Sequence, residues 1–464
     1  MQNHVIRNRS VLTGKGDQNA REHVVYMIER VLAEMNAQTR IKNLMRLEGN
    51  TLHVGNRQWN LSEKRHIYLF GAGKAVNAMA MAVCEILGER ITHGIISVKI
   101  KEPTDKYINT DVYVGGHPLP NEEGLAAAKA IIKMIDQASK DDLFISVFGG
   151  GSSALLTYPV EGITLADEII AQDQLLKSGA KILEINAVRR HISQTNGGWL
   201  AKRIQDKGAE LISLMIGDCV GSGITKNRDE PTEFWGTLVA PDKTTIADAR
   251  ATIQNYALTD ILPKRIMEYI MDDTRIRETP KNQFDRVTTF VLDNVPDSCE
   301  AAKKVAAEMG IPLMILTTFM EGESREVGIC MASICREIQT NHRPMVPPCY
   351  VVFSGETTTT INKACKGKGG PSQELVLGFG IGVREFSNIA IASVDTEGTD
   401  GITLNAGGVA DTFTCQRMDA LKINPYTVLR DHDSGTALEL LGDNIITGNT
   451  GTNVCDFNVI YIDA

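Results

Sequence analysis

The chain has 464 residues, enough for roughly two to four domains, and its 43% hydrophobic and 23% charged residues are typical of a globular protein. Its net charge of −9 argues against a nucleic-acid-binding protein, which needs basic surface to replace the counterions of the phosphates. We expect no membrane anchor or secretory signal, because no apolar run approaches the about 20 residues that span a bilayer. The nine cysteines lack the spacing of a zinc site, so we expect them to be reduced and the protein to be cytoplasmic.

The predicted elements begin with an amphipathic helix after Asp17, in which apolar residues recur at helical spacing as far as Met35. Strands and helices then alternate. In the first half we predict strands at 66–70, 91–100, 143–148 and 211–216, and helices at 74–87 and 125–138. In the second half we predict strands at 288–292, 312–316, 350–353, 389–394 and 458–462, and helices at 298–309 and 325–338.

This alternation predicts an α/β protein in which mainly parallel sheets are flanked by helices. The polar stretch 272–285 separates two such series of elements. We therefore predict two domains, at 17–255 and 286–464.

Glycine-rich segments follow several predicted strands, at the edge where parallel α/β sheets bind ligands. Gly71 and Gly73 would expose backbone N–H groups to an anion beside Lys74, although a tight turn with a solvated lysine is the alternative. A second segment comprises Gly149, Gly150 and Gly151, followed by Ser152 and Ser153. Three successive glycines suit a loop whose backbone touches a ligand, and a flexible turn is the alternative.

Polar residues near other predicted strands are weaker candidates. Arg189, with Asn186 one helical turn before it, could grip a carboxylate or phosphate, but the same residues also fit an ordinary charged helix face. Asp218 could bind Mg²⁺, accept a proton from a hydroxyl or cap a helix. We interpret His117, which precedes Pro118, as a turn residue.

The second half adds glycines, hydroxyls, lysine and acids after its strands, the residue types of a site for phosphate and magnesium. The candidates there are Glu356, Lys368, Gly369, Gly370 and Asp400. Neither a P-loop nor a dinucleotide-binding fingerprint is present.

In this order, the segments resemble those of the class II glycerate 2-kinases, a family also named hydroxypyruvate reductases, whose members end in a domain called MOFRL. The matching segments are G-A-G-K-A at 71–75, G-H-P-x-P at 116–120, G-G-G-S at 149–152, E-G-I-T-L at 161–165, I-N-x-V-R-x-H-x-S at 185–193, S-G-E-T-T at 354–358, G-K-G-G-x-x-Q-E at 367–374, D-G-x-T-x-x-A-G at 400–407 and T-G-x-T-G-T-N-V at 447–454. The resemblance covers the chain from about Asp17 to its end.

The resemblance implies a kinase that transfers the γ-phosphoryl group of ATP, with Mg²⁺, to a hydroxyl of D-glycerate or a related small hydroxy acid. It implies a Rossmann-like N-terminal domain and a MOFRL-type C-terminal domain, and we expect small-molecule substrates and a homodimer. Lys74 would be the essential lysine, and Asp218 would be a catalytic residue or a Mg²⁺ ligand. Asn186, Arg189, Ser152 and Ser153 would bind the acid, and the glycines at 71, 73, 149–151 and 369–370, with Glu356, Lys368 and Asp400, would bind the nucleotide and its phosphates.

The chain departs from the family pattern at several motif positions. Pro371 stands where the family has an arginine with a part in catalysis. Ser222 and Gly223 replace two acids, Asn196 replaces a lysine, and Glu397 replaces an Asp. The older family name leaves an NAD(P)H-dependent hydroxypyruvate reductase as one alternative. Pro371 and Ser222 leave a catalytically weak binding or regulatory homologue as the other.

Overall fold

The structure is a computed structural model that describes residues 5–221, 230–232, 237–361 and 365–464. The chain divides into two compact units. The central unit comprises Arg40–Ile216 and Ile224–Leu292, and the terminal unit comprises Met1–Thr39, Gly217–Gly223 and Asp293–Ala464.

Helices and strands alternate along most of the described chain. The strands are β1 Met45–Glu48, β2 Thr51–Val54, β3 Arg57–Asn60, β4 Ile67–Gly73, β5 His93–Val98, β6 Thr110–Val114, β7 Leu143–Phe148, β8 Glu210–Ile216, β9 Val287–Asp293, β10 Leu313–Met320, β11 Cys349–Gly355, β12 Ile389–Asp395, β13 Gly407–Asp411, β14 Asn444–Ile445 and β15 Asp456–Ile462. The α-helices are α1 Arg9–Thr13, α2 Gln18–Glu34, α3 Ala37–Leu44, α4 Val76–Leu87, α5 Glu122–Asp136, α6 Ser152–Leu155, α7 Leu165–Lys177, α8 Ile182–His191, α9 Trp199–Asp206, α10 Ile246–Asn255, α11 Lys264–Ile270, α12 Val295–Met309, α13 Ser324–Asn341, α14 Pro371–Val383, α15 Thr414–Ala420, α16 Pro425–Arg430 and α17 Ser434–Leu441.

The large sheet of the central unit has the strand order β6-β5-β4-β7-β8-β9, and β4 to β8 pair in parallel. Counted from β4, this is the order 3-2-1-4-5-6 of a Rossmann fold, so the predicted Rossmann-like domain is confirmed. Strands β4 and β7 are buried along their whole length, and the rings of Phe70, Phe144 and Phe148 pack edge to face in the core. The chain reverses its direction of travel across the sheet between β4 and β7, which marks the ligand crevice of such folds.

The sheet of the terminal unit has the order β10-β11-β15-β12-β13-β14. Only β10 and β11 pair in parallel, whereas β15 is antiparallel to both of its neighbours and β13 is antiparallel to both of its own. The α/β class and the two-domain organisation are therefore confirmed, but this second sheet is mixed rather than mainly parallel. The last strand, β15, enters the middle of the sheet and places its first residue beside the last residues of β11 and β12.

The two units differ from the predicted domains because the N-terminal helix belongs to the terminal unit. Helix α2 packs against β12, β13, β15 and α12, and it buries an apolar face. Its Arg21 is fully buried and forms ion pairs with Asp411 and Asp443. The predicted ranges 17–255 and 286–464 are thus corrected, since residues up to Thr39 join the terminal unit and residues up to Leu292 join the central one. Within the described residues, no helix has both the length and the apolar character that crossing a membrane requires.

Candidate active site

Two loops of the central unit meet at the point where the strand order reverses. Lys74 follows β4 directly, and Gly149, Gly150 and Gly151 follow β7, the neighbouring parallel strand. The backbone N–H of Lys74 donates to the carbonyl oxygen of Gly150 at 3.0 Å. Gly151 has a φ of 81°, in the left-handed region that favours glycine. The two predicted motifs are therefore joined, and they lie where folds of this class bind ligands.

Gly71 and Gly73 have a different role from the one predicted, because β4 continues through both of them. A β-carbon on Gly71 would lie 2.0 Å from the Val147 carbonyl oxygen, and one on Gly73 would lie 2.7 Å from the Gly149 nitrogen. Both glycines are buried, and helix α4 begins only at Val76. The prediction that they expose N–H groups to a phosphate is corrected: they allow close packing of β4 against β7.

His117 is a member of this site that sequence reasoning missed. It lies beyond β6, and a β-carbon on Gly151 would approach its ring carbon Cδ2 to 2.8 Å and the Cγ of Lys74 to 3.4 Å. The turn that holds it is fixed by the buried Gln172, whose side-chain amide donates to the Pro118 carbonyl oxygen. The G-H-P-x-P segment could have indicated that His117 belongs to the site. It was not sufficient, because a histidine beside proline is also a common turn residue.

Ser152 and Ser153 open the short helix α6 after the glycine loop, and both are partly exposed. The Ser153 hydroxyl accepts a hydrogen bond of 2.9 Å from the side-chain amide of Asn196. Asn196 is 4% exposed, and it stands where the resembling family has a lysine. Asn196 therefore supports the loop through a hydrogen bond between uncharged groups.

Arg189 on α8 is half-buried, and the surrounding protein encloses its guanidinium. Burial lowers the pKa of Arg189 to about 10, against the opposing effect of the Glu168 carboxylate. Within the described residues, the hydrogen bond that the guanidinium makes runs from Nη1 to Asn186 Oδ1 at 3.3 Å. The arrangement leaves other N–H donors for an anionic group, as a carboxylate-binding arginine requires.

Helix α7 connects Arg189 with the His117 turn. Its Glu168 is 7% exposed and accepts a hydrogen bond from the Thr157 hydroxyl, while burial raises the pKa of the Glu168 carboxyl group. Gln172, which holds the turn at Pro118, lies one helical turn further along the same face of α7, about 6 Å away. One face of α7 therefore carries both the carboxylate that affects the pKa of Arg189 and the amide that holds the His117 turn.

Acidic residues gather where strands β11, β12 and β15 of the terminal unit meet at their ends, and we call this group the acidic edge. In the strand register Asp456, which begins β15, lies opposite both Gly355 of β11 and Asp395 of β12. Glu356 follows directly after β11. Burial, and then the negative charges of Asp395, Asp400 and Glu356, raise the pKa of Asp456 well above its usual value. This mutual repulsion would be relieved by a bound cation.

Asp218 joins this acidic edge within the terminal unit. Its Oδ2 accepts a hydrogen bond of 3.1 Å from the Asn453 side-chain amide, and its carbonyl oxygen lies 2.8 Å from the Cys455 sulfur. Among the residues that the structure describes, no three acidic, histidine or cysteine side chains form a closed metal site. Asp395 and Asp456 were missed from the sequence, although each lies within two residues of a predicted strand.

The glycine-rich loop before α14 is shaped by its packing neighbours. A β-carbon on Gly369 would lie 2.1 Å from the Ser434 hydroxyl, and one on Gly370 would lie 2.3 Å from the Asp400 carboxyl carbon. The backbone N–H of Lys368 donates to Asp433 Oδ1 at 2.9 Å, whereas the residue as a whole is exposed. Lys368 therefore presents a cation from a fixed backbone.

Asp400 is a helix cap in the structure. It is 1% exposed, and its carboxylate accepts the backbone N–H groups of Ser372 at 3.2 Å and Gln373 at 2.9 Å, in the first turn of α14. The predicted nucleotide-binding role of Asp400 is thus corrected. Pro371 is the first residue of α14, a position where proline is favoured. Two further departures from the family, Ser222 and Gly223, lie outside the described residues.

Comparison with known proteins matches both halves of the chain. Residues 23–271 match the family described as "Domain of unknown function (DUF4147)", and residues 349–456 match the MOFRL family. The chain is 36% identical over 419 residues to a protein of Pyrococcus horikoshii named glycerate 2-kinase, covering 89% of this chain and 91% of that protein. It is 32% identical over 392 residues to a protein of Agrobacterium vitis provisionally named hydroxypyruvate reductase, covering 84% and 86%. The crystal structure of a glycerate kinase from Thermotoga maritima matches with a TM-score of 0.74 and 30% identity, covering 94% of this chain and 98% of that one.

Proposed function

Since the chain belongs to the class II glycerate 2-kinase family, we propose that it transfers the γ-phosphoryl group of ATP to a hydroxyl of D-glycerate or a closely related hydroxy acid. The observation that carries the proposal is the meeting of Lys74, the 149–151 loop and His117 where the strand order of the central unit reverses. Phosphoryl transfer depends mainly on positioning and on neutralising charge. A glycine loop can position the phosphates, and a lysine beside it can neutralise their charge.

In this proposal Arg189 binds the carboxylate of the acid. Its guanidinium has N–H donors besides the one that bonds to Asn186. The negative charge of Glu168 favours the protonated form of Arg189. Ser152 and Ser153 supply hydroxyl groups at the start of α6 for the oxygens of the substrate. Lys74 places its positive charge beside the loop that follows β7, where the transferring phosphoryl group would be stabilised.

The acidic edge of the terminal unit fits a magnesium ion. Burial and the neighbouring carboxylates raise the pKa of Asp456, and Asp218 accepts a hydrogen bond from Asn453. Mg²⁺ commonly takes one or two protein carboxylates and completes its shell with water and phosphate oxygens, so a closed protein cage is not required. Asp218 and Asp456 would hold the ion, which would neutralise charge on the nucleotide phosphates. A cytoplasmic location and a homodimer remain predictions.

The decisive experiment is an ADP-release assay with Mg-ATP and a panel of small hydroxy acids. We expect release with D-glycerate or a close relative, and its loss when EDTA removes the metal. The provisional name of the Agrobacterium vitis relative gives a second candidate, NAD(P)H-dependent reduction of hydroxypyruvate. NAD(P)H oxidation with hydroxypyruvate, without ADP release from any acid of the panel, would replace the first proposal by the second.

Mg-ATP should raise the melting temperature of the protein, because a ligand that binds only the folded state stabilises it by mass action. At a concentration about 100 times its Kd, the stabilisation is about 2.7 kcal/mol, which corresponds to a rise of several degrees. Differential scanning fluorimetry measures it, with Mg²⁺ alone and ATP with EDTA as controls. No rise at saturating Mg-ATP would contradict ATP binding.

The substitution Pro371→Arg should raise kcat/KM for D-glycerate by roughly tenfold or more. Arginine donates two parallel hydrogen bonds to a phosphoryl group, whereas the lysines at 366 and 368 act as point charges, so we expect low turnover by the natural chain. The helix should tolerate the change because Asp400 caps the N–H groups of residues 372 and 373, not of 371. Pro371→Gln is the control without charge. A natural chain that already turns over at about 10 per second, with no gain in the arginine variant, would show that the missing arginine is compensated.

A further inference from the structure

Two cysteines of the terminal unit lie together beside Asp218. The sulfur of Cys455 is 2.8 Å from the carbonyl oxygen of Asp218, and the next residue along the chain is Cys219. From standard backbone dimensions, this contact places the Cys455 sulfur within about 6 Å of the Cys219 Cα atom. The two residues are 236 positions apart in sequence, so the fold alone brings them together.

The two thiols differ in their exposure to an oxidant. Cys219 is exposed, whereas Cys455 is 7% exposed at the start of β15. The backbone of Cys455 has a φ of 62°, which a cysteine rarely adopts, so the fold holds this residue in an unusual conformation. By contrast Cys335 and Cys349 are fully buried and out of reach of an oxidant.

We propose that Cys219 and Cys455 form a reversible disulfide when the protein meets hydrogen peroxide. The sulfur of Cys219 attacks one peroxide oxygen and the O–O bond breaks, which gives a sulfenic acid and water. The sulfur of Cys455 then attacks the sulfenic sulfur and the S–O bond breaks. The leaving hydroxyl takes up the Cys455 thiol proton and departs as a second water. Two thiols are oxidised, one hydrogen peroxide is reduced, and an added dithiol reverses the reaction.

The bond would displace a residue of the proposed kinase. Closing it would replace the contact between the Cys455 sulfur and the Asp218 carbonyl oxygen with an S–S bond to the next residue, with the two Cα atoms held about 4.4–6.8 Å apart. We expect this exchange of contacts to shift the adjacent Asp218 and break its hydrogen bond from Asn453. Oxidation should therefore lower activity, and this part of the inference rests on the proposed function. The formation of the bond itself does not.

The test uses the full-length protein, titrated with hydrogen peroxide, alkylated and digested without reductant for mass spectrometry. We expect one linked peptide pair containing Cys219 and Cys455 that disappears after dithiothreitol. Cys219→Ser should abolish the link, and Cys330→Ser should keep it, because Cys330 is also exposed but lies on α13. The proposal would be overturned if no link forms at peroxide concentrations that oxidise Cys330. In that case Cys455 would be alkylated, and Cys219 would be alkylated or over-oxidised.

Activity provides the second measurement. Oxidation should lower ADP release from the natural chain at least tenfold, dithiothreitol should restore it, and Cys219→Ser should be insensitive to peroxide. If the linked peptides form in a protein that never releases ADP, the disulfide stands and the kinase proposal fails. If ADP release is robust and no linked peptide forms, the disulfide proposal fails alone.

Discussion

Lys74→Ala should lower kcat/KM by roughly two orders of magnitude or more, the scale of loss when one preorganised charge-stabilising group is removed. The side chain follows β4 and runs beside Gly151, next to His117, where a transferring phosphoryl group would need a positive charge. The fold should survive because the backbone N–H of residue 74, which bonds to Gly150, is unchanged by the substitution. Steady-state ADP release, with circular dichroism to check folding, measures the effect.

The matched control is Lys101→Ala. Lys101 is an exposed lysine that follows β5 of the same sheet. Its removal changes the net charge equally and should leave kcat/KM within about twofold, since isolated surface charges contribute little. Lys74→Arg should recover part of the activity, because it restores the charge but not the shape. If the folded Lys74→Ala enzyme matches the control, Lys74 has no role in transfer.

Arg21→Met should destabilise the protein by about 3–5 kcal/mol, the usual cost of removing one partner from a buried ion pair. The Arg21 guanidinium, which is fully buried, binds Asp443 through Nη1 at 2.7 Å and Nη2 at 3.1 Å, and it also pairs with Asp411. Methionine fills much of the same volume, so the loss mainly reports the Asp411 carboxylate, because Asp443 keeps its ion pair with Arg417. Urea unfolding followed by circular dichroism measures the change.

The control for this prediction is Arg30→Met on the same helix. Arg30 pairs with Glu308 at 2.7 Å, but both side chains are substantially exposed, at 38% and 58%. An exposed pair of this kind contributes about 0–1 kcal/mol. Equal losses in the two variants would mean that the Arg21 network adds nothing beyond a surface ion pair.

The repeating elements could be read from sequence because hydrophobic periodicity and glycine-rich strand ends are local signals. Lys74 and the 149–151 loop were found in this way, and the order of the strands explains why they meet. Gly71 was misread because a glycine that ends a strand and one that admits a neighbouring strand have the same local pattern. The structure distinguishes these two roles, because the Val147 carbonyl oxygen lies only 2.0 Å from where a β-carbon of residue 71 would be.

Long-range contacts explain the other differences. The partners of Asp400 are N–H groups 27 and 28 residues earlier in the chain, so its capping role has no local signature. Asp395 and Asp456 become neighbours only through the antiparallel register of β12 and β15. The amphipathic pattern of α2 predicted a helix correctly, but an apolar face does not specify which sheet it covers.

The placement of α2 also affects the order in which the chain can fold during synthesis. The ribosome makes this helix well before the strands it packs against, β12, β13 and β15. The central unit is complete once Leu292 has emerged, so it can fold while the helix waits without its partners. Until β15 has emerged, the apolar face of α2 lacks its packing partners, so the terminal unit closes later than the central one.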